Sequence, residues 1–149
     1  MKDFLEKLAS KNSTPGGGAA AAVAGAMGAA LVEMVVNLTK NLELRTNNLR
    51  TKLLKLADED VVAFDAVMAA YKSKNKFKIK KALLKAIEVP EKTKKLANEV
   101  EKLAKIAAKK GNKNALSDAN TAIYLAQAAQ KGAEENIKIN KTSLKRLAS

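Results

Sequence analysis

A chain of 149 residues with no cysteine and no histidine has few ways to do chemistry. Thiol catalysis, disulfides and iron–sulfur clusters are excluded, and so are Ser-His and Cys-His pairs and the usual zinc ligands. Proton transfer must fall to carboxylates, lysines, hydroxyls, amides or backbone groups. One carboxylate stands out. At about 100° per residue, Leu49, Leu53, Leu56, Phe64, Val67 and Tyr71 fall in one narrow sector of a helix, with Asp60 in its middle. Asp58 and Asp65 fall on the opposite side, where solvated acids belong. Burial raises the pKa of a carboxyl group and makes it a proton-transfer candidate near neutrality. The same pattern also fits a structural Asp paired with a Lys, because ion pairs perturb acids too, or a stripe that faces solvent at that turn.

A second signal is Thr14-Pro15-Gly16-Gly17-Gly18 at a helix start. Successive glycines let backbone amides converge, and the helix N-terminus adds partial positive charge. Such a loop suits an anion, a carbonyl or the edge of a planar heterocycle; a flexible linker is the plain alternative. Gly16 to Ala21 matches a dinucleotide fingerprint only formally, since no strand precedes it, and no Gly-Lys-Ser/Thr follows to make a Walker loop. A third signal is a set of polar residues late in the chain: Asn112 and Asn114, Ser117-Asp118, then Asn136 and Asn140 four apart on one helical face. Taken singly, Asn112, Asn114 and Ser117 read as helix caps. Asn37 is the polar exception near the end of an apolar helix, and alone it reads as an interhelical hydrogen-bonding residue.

These residues must be held by helices. The chain is rich in alanine, poor in aromatics (3%) and has only two prolines, and no segment alternates like a strand. The pattern predicts helices over about 2–10, 18–40, 42–71, 79–87, 91–110, 114–131 and 134–147. Thr14 reads as an N-cap followed by a first-turn Pro15. A basic connection covers 72–81, a stop precedes Pro90, and Gly132 separates the last two helices. Ala20, Ala24 and Gly28 share a face that lets another backbone approach closely, within or between subunits. The whole chain, 1–149, reads as one all-α domain.

The net charge is +13, with lysine outnumbering arginine 25 to 3. A basic surface attracts nucleic acid, anionic lipid or a ligand with several carboxylates, or is simply solvated. Guanine readout prefers arginine and base stacking prefers aromatics, so sequence-specific nucleic-acid recognition is disfavoured. The uncharged run Gly18 to Val32 is mostly Ala and Gly and meets Glu33 before about 20 residues, so neither a membrane span nor a secretory signal is expected. A cytoplasmic protein is the expectation.

Taken in order, these blocks resemble a known family. Leu8-Ala9-Ser10, Thr14-Pro15-Gly16-Gly17-Gly18, Gly25-Ala26-Met27-Gly28-Ala29-Ala30-Leu31-Val32, Met34-Val35 and Asn37-Leu38-Thr39 resemble the start of the formimidoyltetrahydrofolate cyclodeaminase / methenyltetrahydrofolate cyclohydrolase family. The series continues through Asp60-Val61-Val62-Ala63-Phe64, Ala70-Tyr71-Lys72, Val89-Pro90, Gly111 to Asn114, Ser117-Asp118-Ala119 and Asn136 to Asn140.

The resemblance implies a multihelical bundle that dimerises, with folate bound near the subunit interface. It implies Asp60 as the catalytic aspartate, the residue that the stripe singles out by itself. It also implies that Gly16, Gly17, Gly18, Asn37, Asn112, Asp118, Asn136 and Asn140 lie near the substrate. The expected activity is making or opening the 5,10-methenyl bridge of tetrahydrofolate by acid/base catalysis, with no metal and no cofactor beyond the folate substrate itself. The glutamate tail, often several residues long, suits the positive charge. The chain departs from the family in Ala19 where serine is usual, in Lys141 where leucine is usual, in a shortened segment after Lys72, and in ending before a further C-terminal helix. On those departures rests an alternative, a non-catalytic folate-binding or interaction protein of the same fold. A basic nucleic-acid-associated bundle is a second alternative, on charge alone.

Overall fold

Alanine and glycine decide the architecture, because they let helices approach until backbones nearly touch. The computed structural model describes all 149 residues as five α-helices and one turn of 3-10 helix, with no strand. The helices are α1 (Lys2–Leu8), α2 (Gly17–Asn37), α3 (Leu49–Lys72), α4 (Lys76–Lys110) and α5 (Leu116–Ala148), with the 3-10 turn at Lys113–Ala115. The Ala/Gly-rich α2 is the central helix and packs on α3, α4 and α5. It is long and apolar enough to cross a bilayer by length and composition, but half of its residues are buried inside the bundle. It runs antiparallel to α3, with Gly18 against Asp60 and Gly25 against Leu53, and antiparallel to α5, with Gly17 near Asn136 and Gly28 near Ala122.

Gly28 lies in this interior. A Cβ there would sit 3.1 Å from the Ala122 carbonyl oxygen and 3.3 Å from Val100. The close partner of that position is therefore the chain's own α4 and α5, not a second subunit. Gly28→Leu is expected to destabilise the fold itself by roughly 1–3 kcal/mol through overpacking, which urea denaturation would show whatever the oligomeric state.

Four predicted boundaries move. The third helix begins at Leu49 rather than Leu42, because Asn41, Asn47 and Asn48 adopt positive φ and cannot continue a right-handed helix. The basic segment 72–81 is mostly helix. Only Ser73–Asn75 connects α3 to α4, and the Asn75 side chain caps α4 by accepting from the Lys78 N–H at 3.0 Å. Neither Pro90 nor Gly132 breaks a helix: α4 runs through Pro90 and α5 through Gly132. At Gly132 the packing explains the residue, since a Cβ there would come within 3.0 Å of the Ala21 Cβ. The cost of glycine inside a helix, about 1 kcal/mol relative to alanine, is offset by the close approach of α2 and α5.

A polar clamp sets the register of α4 on α5. The Glu101 carboxylate accepts from Gln127 Nε2 at 3.0 Å and Gln130 Nε2 at 2.6 Å, and meets Lys105 Nζ at 2.8 Å. Those bonds, Lys105 first, pull its pKa down to about 2. A depressed folded-state pKa contributes stability that is present above the unfolded value and lost as pH falls through the folded one. Glu101→Gln is therefore expected to cost stability at neutral pH, with the gap to wild type closing in the acid range. Denaturation midpoints followed down to that range would check it.

Candidate active site

The N-terminus of α2 meets the middle of α3 without a side chain between them. The predicted cap pair Thr14-Pro15 does not start the helix. The Thr14–Pro15 peptide bond is cis, Gly16 is the N-cap with no side-chain cap bond, and α2 begins at Gly17. A carboxylate from the neighbouring helix takes the place of a cap. Asp60 lies so close to Gly18 that a Cβ on Gly18 would fall 2.6 Å from the Asp60 Cγ, and the Ala19 N–H points to the same carboxylate.

Two effects compete at Asp60. Burial disfavours the ionised form, while the Ala19 N–H at the positive end of α2 favours it. Burial is the larger, and the carboxyl is held above its ordinary range. None of the nine ion pairs in the structure involves Asp60, so the structural-pair reading of this residue finds no lysine partner. Asp58 and Asp65 are exposed on the other side of α3.

Asp60 opens onto a cavity of about 320 Å³, enclosed by the glycine loop, α3, α4 and α5. Its polar wall includes Thr14, Gly16, Gly17, Gly18, Asn136 and Asn140, and its apolar wall includes Phe64, Val67, Tyr71 and Leu83. Gly17 approaches the Asn136 amide, which a Cβ there would meet at 3.8 Å. Asn136 Nδ2 donates to the Gly132 carbonyl at 2.9 Å, and Asn140 Nδ2 donates to the Ala86 carbonyl at 2.8 Å. Two wider grooves, between α3 and α4 and between α4 and α5, are lined mainly by lysine, glutamate and amides.

The structure thus brings together Asp60, Gly16, Gly17, Gly18, Asn136 and Asn140. It does not bring Asn37, Asn112 or Asp118 to them within one chain. Asn37 is exposed at the far end of α2, about 30 Å along the axis from Gly17 at 1.5 Å per residue. Asn112 is a loop clamp there: its Nδ2 donates to the Leu38 carbonyl at 3.0 Å, its own N–H donates to Thr39 Oγ1 at 2.9 Å, and its Oδ1 accepts from the Asn114 N–H at 3.0 Å. Asp118 sits in the first turn of α5, at the same end.

Phe64 and Tyr71, expected in the buried stripe, are instead 37% and 43% exposed and face the cavity with Ile139. Sequence reasoning missed them as site residues. The available signal was their share of the Asp60 face in a chain with only five Phe and Tyr. Ala19 is fully buried and does not line the cavity, so a serine hydroxyl is not what this wall presents; the group turned toward Asp60 is a backbone N–H. A carboxyl whose pKa is raised by burial, beside amides, glycines and aromatic rings, can move a proton on a flat, polar-edged ligand.

Known proteins share this arrangement of helices. The family model described as formiminotransferase-cyclodeaminase matches residues 1–148. A methenyltetrahydrofolate cyclohydrolase of Methylorubrum extorquens is 41% identical, over 97% of this chain and 80% of its own length. The crystal structure of a formiminotetrahydrofolate cyclodeaminase from Thermotoga maritima superposes with a TM-score of 0.88 at 33% identity, over 97% of this chain and 79% of that one. The chain belongs to the formiminotransferase-cyclodeaminase family.

Proposed function

We propose that this protein is a folate one-carbon enzyme acting on the 5,10-methenyl bridge of tetrahydrofolate, with Asp60 as its acid/base. The observation that carries the reading is the lone, half-buried Asp60 carboxyl with a raised pKa in a cavity of heterocycle size. In the cyclohydrolase direction, water adds to the methenyl carbon and gives up a proton to Asp60. The N5–C bond then breaks as N5 takes that proton back from Asp60 and the adduct's hydroxyl gives up its own proton to water, leaving the formyl group on N10. In the cyclodeaminase direction, N10 attacks the formimino carbon, its proton passes through Asp60 to the formimino nitrogen, and that nitrogen takes one more proton from solvent and leaves as ammonia as the methenyl bridge forms. Both directions need one carboxyl able to accept and return a proton near neutrality. The name of the Methylorubrum relative favours the first. Loss of methenyltetrahydrofolate absorbance on adding the protein tests it, with a formimino substrate run in parallel; saturable binding without decay would leave only the folate-binding reading.

The cavity is at the low end of the roughly 300–1,000 Å³ usual for ligand sites, so it takes the pteridine head and leaves the glutamate tail outside. Between the cavity residues Tyr71 and Leu83 the chain carries Lys72, Lys74, Lys76, Lys78, Lys80 and Lys81. Polyglutamylated folate is expected to bind more tightly than the monoglutamate, by a margin that shrinks with added salt. Lys74, Lys76 and Lys78 changed together to Gln should reduce that margin; equal affinity for both tails at low salt would remove the idea.

The homodimer and the cytoplasmic setting belong to the same reading. Ala20, Ala24, Met27, Leu31, Met34 and Leu38 repeat in steps of four and three along α2, and Met27, Met34 and Leu38 are exposed. That is the spacing of a helix seam. Antiparallel two-fold pairing of this stripe would set the Asn37 end of one α2 beside the Gly17 end of its partner. Sedimentation at micromolar concentration should show a dimer. Met27→Glu should give monomers with reduced turnover although the Asp60 cavity is untouched, whereas a fully active monomer would exclude a shared site.

A further inference from the structure

Proline inside a helix leaves one carbonyl without its partner. Residue 90 would normally donate to the carbonyl four residues earlier, at Ala86, but proline has no N–H and its ring crowds that oxygen. In α4 the Ala86 carbonyl is taken by a side chain from another helix, the Asn140 amide at 2.8 Å. Pro90 is fully buried, and both Ala86 and Asn140 line the Asp60 cavity.

We infer that Pro90 is a positioning residue for the site: by freeing the Ala86 carbonyl it fixes the plane of the Asn140 amide, which then reads a hydrogen-bonding edge of the ligand. The inference rests on the folate reading only for the identity of that ligand. A primary amide has two N–H donors and one carbonyl acceptor. With one N–H spent on Ala86, Asn140 keeps Oδ1 and the second N–H, and neither has a protein partner. Asn136, one turn earlier, is held in the same way on the Gly132 carbonyl. The α5 wall therefore offers two fixed amides one helical turn apart, each with an adjacent acceptor and donor. That pair complements a cyclic amide, in which an N–H sits beside a carbonyl, and the 2-amino-4-oxopteridine ring carries such an edge. An amide held only by its own side-chain torsions would have to be ordered on binding, at a cost in affinity.

The test is a double-mutant cycle of Pro90→Ala and Asn140→Ala. It reads KM and kcat for methenyl opening, the Kd of the stable 5-formyl folate, and exchange of the Asn140 side-chain amide protons by NMR in ligand-free protein. Pro90→Ala returns an N–H to the Ala86 carbonyl. Asn140 amide exchange should then quicken, and KM and Kd should rise by about five- to tenfold, the worth of one hydrogen bond, with kcat changed by less than about twofold. The double variant should be no worse than Asn140→Ala. Unchanged KM and exchange in Pro90→Ala, or losses that multiply in the double variant, would overturn the inference. Should Pro90→Ala fail to fold, amide exchange in the wild-type protein decides: protection of one Asn140 side-chain proton by the Ala86 carbonyl supports the inference, and exchange at the rate of a free amide overturns it. If wild type neither binds nor opens folate, the functional reading fails, while amide exchange in the free protein still judges the role of Pro90.

Discussion

Asp60→Asn is expected to lower turnover by about 10²–10⁴-fold, the usual worth of general acid/base help, while the bundle stays folded. Asn is nearly isosteric with Asp and keeps an oxygen for the Ala19 N–H, but it cannot carry a proton at neutral pH. No ion pair is lost, because Asp60 has none. Substrate affinity should change less than kcat, since the proton moves only on the way to the transition state. Stability should rise at neutral pH. Burial holds the folded-state pKa of Asp60 above its unfolded value, so its contribution is full below the unfolded pKa and is lost as pH rises through the folded one. Asn does not ionise and escapes that loss. The variant's advantage in urea should therefore be small in acid, grow through the titration of Asp60 and then level off. The wild-type pH–rate profile should show an ionisation above the ordinary carboxylate range. Asp58→Asn and Asp65→Asn, both exposed, are matched controls and should be nearly silent. Normal activity in Asp60→Asn would end the catalytic assignment.

Gly18→Ala is expected to be almost as damaging, for a different reason. Gly18 does not adopt a positive φ, and alanine is the better helix former, so the backbone accepts the change. The obstacle is Asp60, whose Cγ would lie 2.6 Å from the new methyl group. A carboxylate at the end of a short side chain can rotate away, so the fold survives and the catalytic geometry does not. A displacement of about 1 Å at a reacting group costs on the order of 10²-fold in rate, and that loss should appear in kcat. The double variant Gly18→Ala/Asp60→Asn should be no slower than Asp60→Asn alone, because both lesions remove the same group. Gly17→Ala is the contrast: its methyl would meet only the Asn136 amide, at 3.8 Å, and the loss should be much smaller. Wild-type turnover in Gly18→Ala would show that the closeness of this glycine to Asp60 has no bearing on catalysis.

What could be read from the residues was what a single helix decides locally. Periodicity isolated Asp60, because which face a residue occupies depends only on its place along its own helix. It also set Asp58 and Asp65 on the solvent side, where they are. Composition showed an all-helical chain, because alanine, leucine and lysine favour helix whatever surrounds them. The order of the motif blocks pointed to the family. Where a local signal competed with a neighbour's contribution, the local signal misled. Pro90 and Gly132 carry the marks of helix ends, yet both lie mid-helix, one with its orphaned carbonyl answered by Asn140, the other filling a space too narrow for a side chain beside Ala21. Thr14 has the chemistry of a cap, yet a carboxylate from α3 stands at that end of α2. Phe64 and Tyr71 share the core stripe, but the stripe outruns its cover and they become cavity wall. The distribution of the asparagines was likewise beyond sequence: Asn136 and Asn140 reach the Asp60 cavity, while Asn37 and Asn112 stand at the opposite end of α2. Face and propensity are properties of a segment, set by steps of about 100° and backbone preference. Which ends meet, and which polar group answers another's missing hydrogen bond, depends on contacts between helices far apart in the chain, and only the packed bundle decides them.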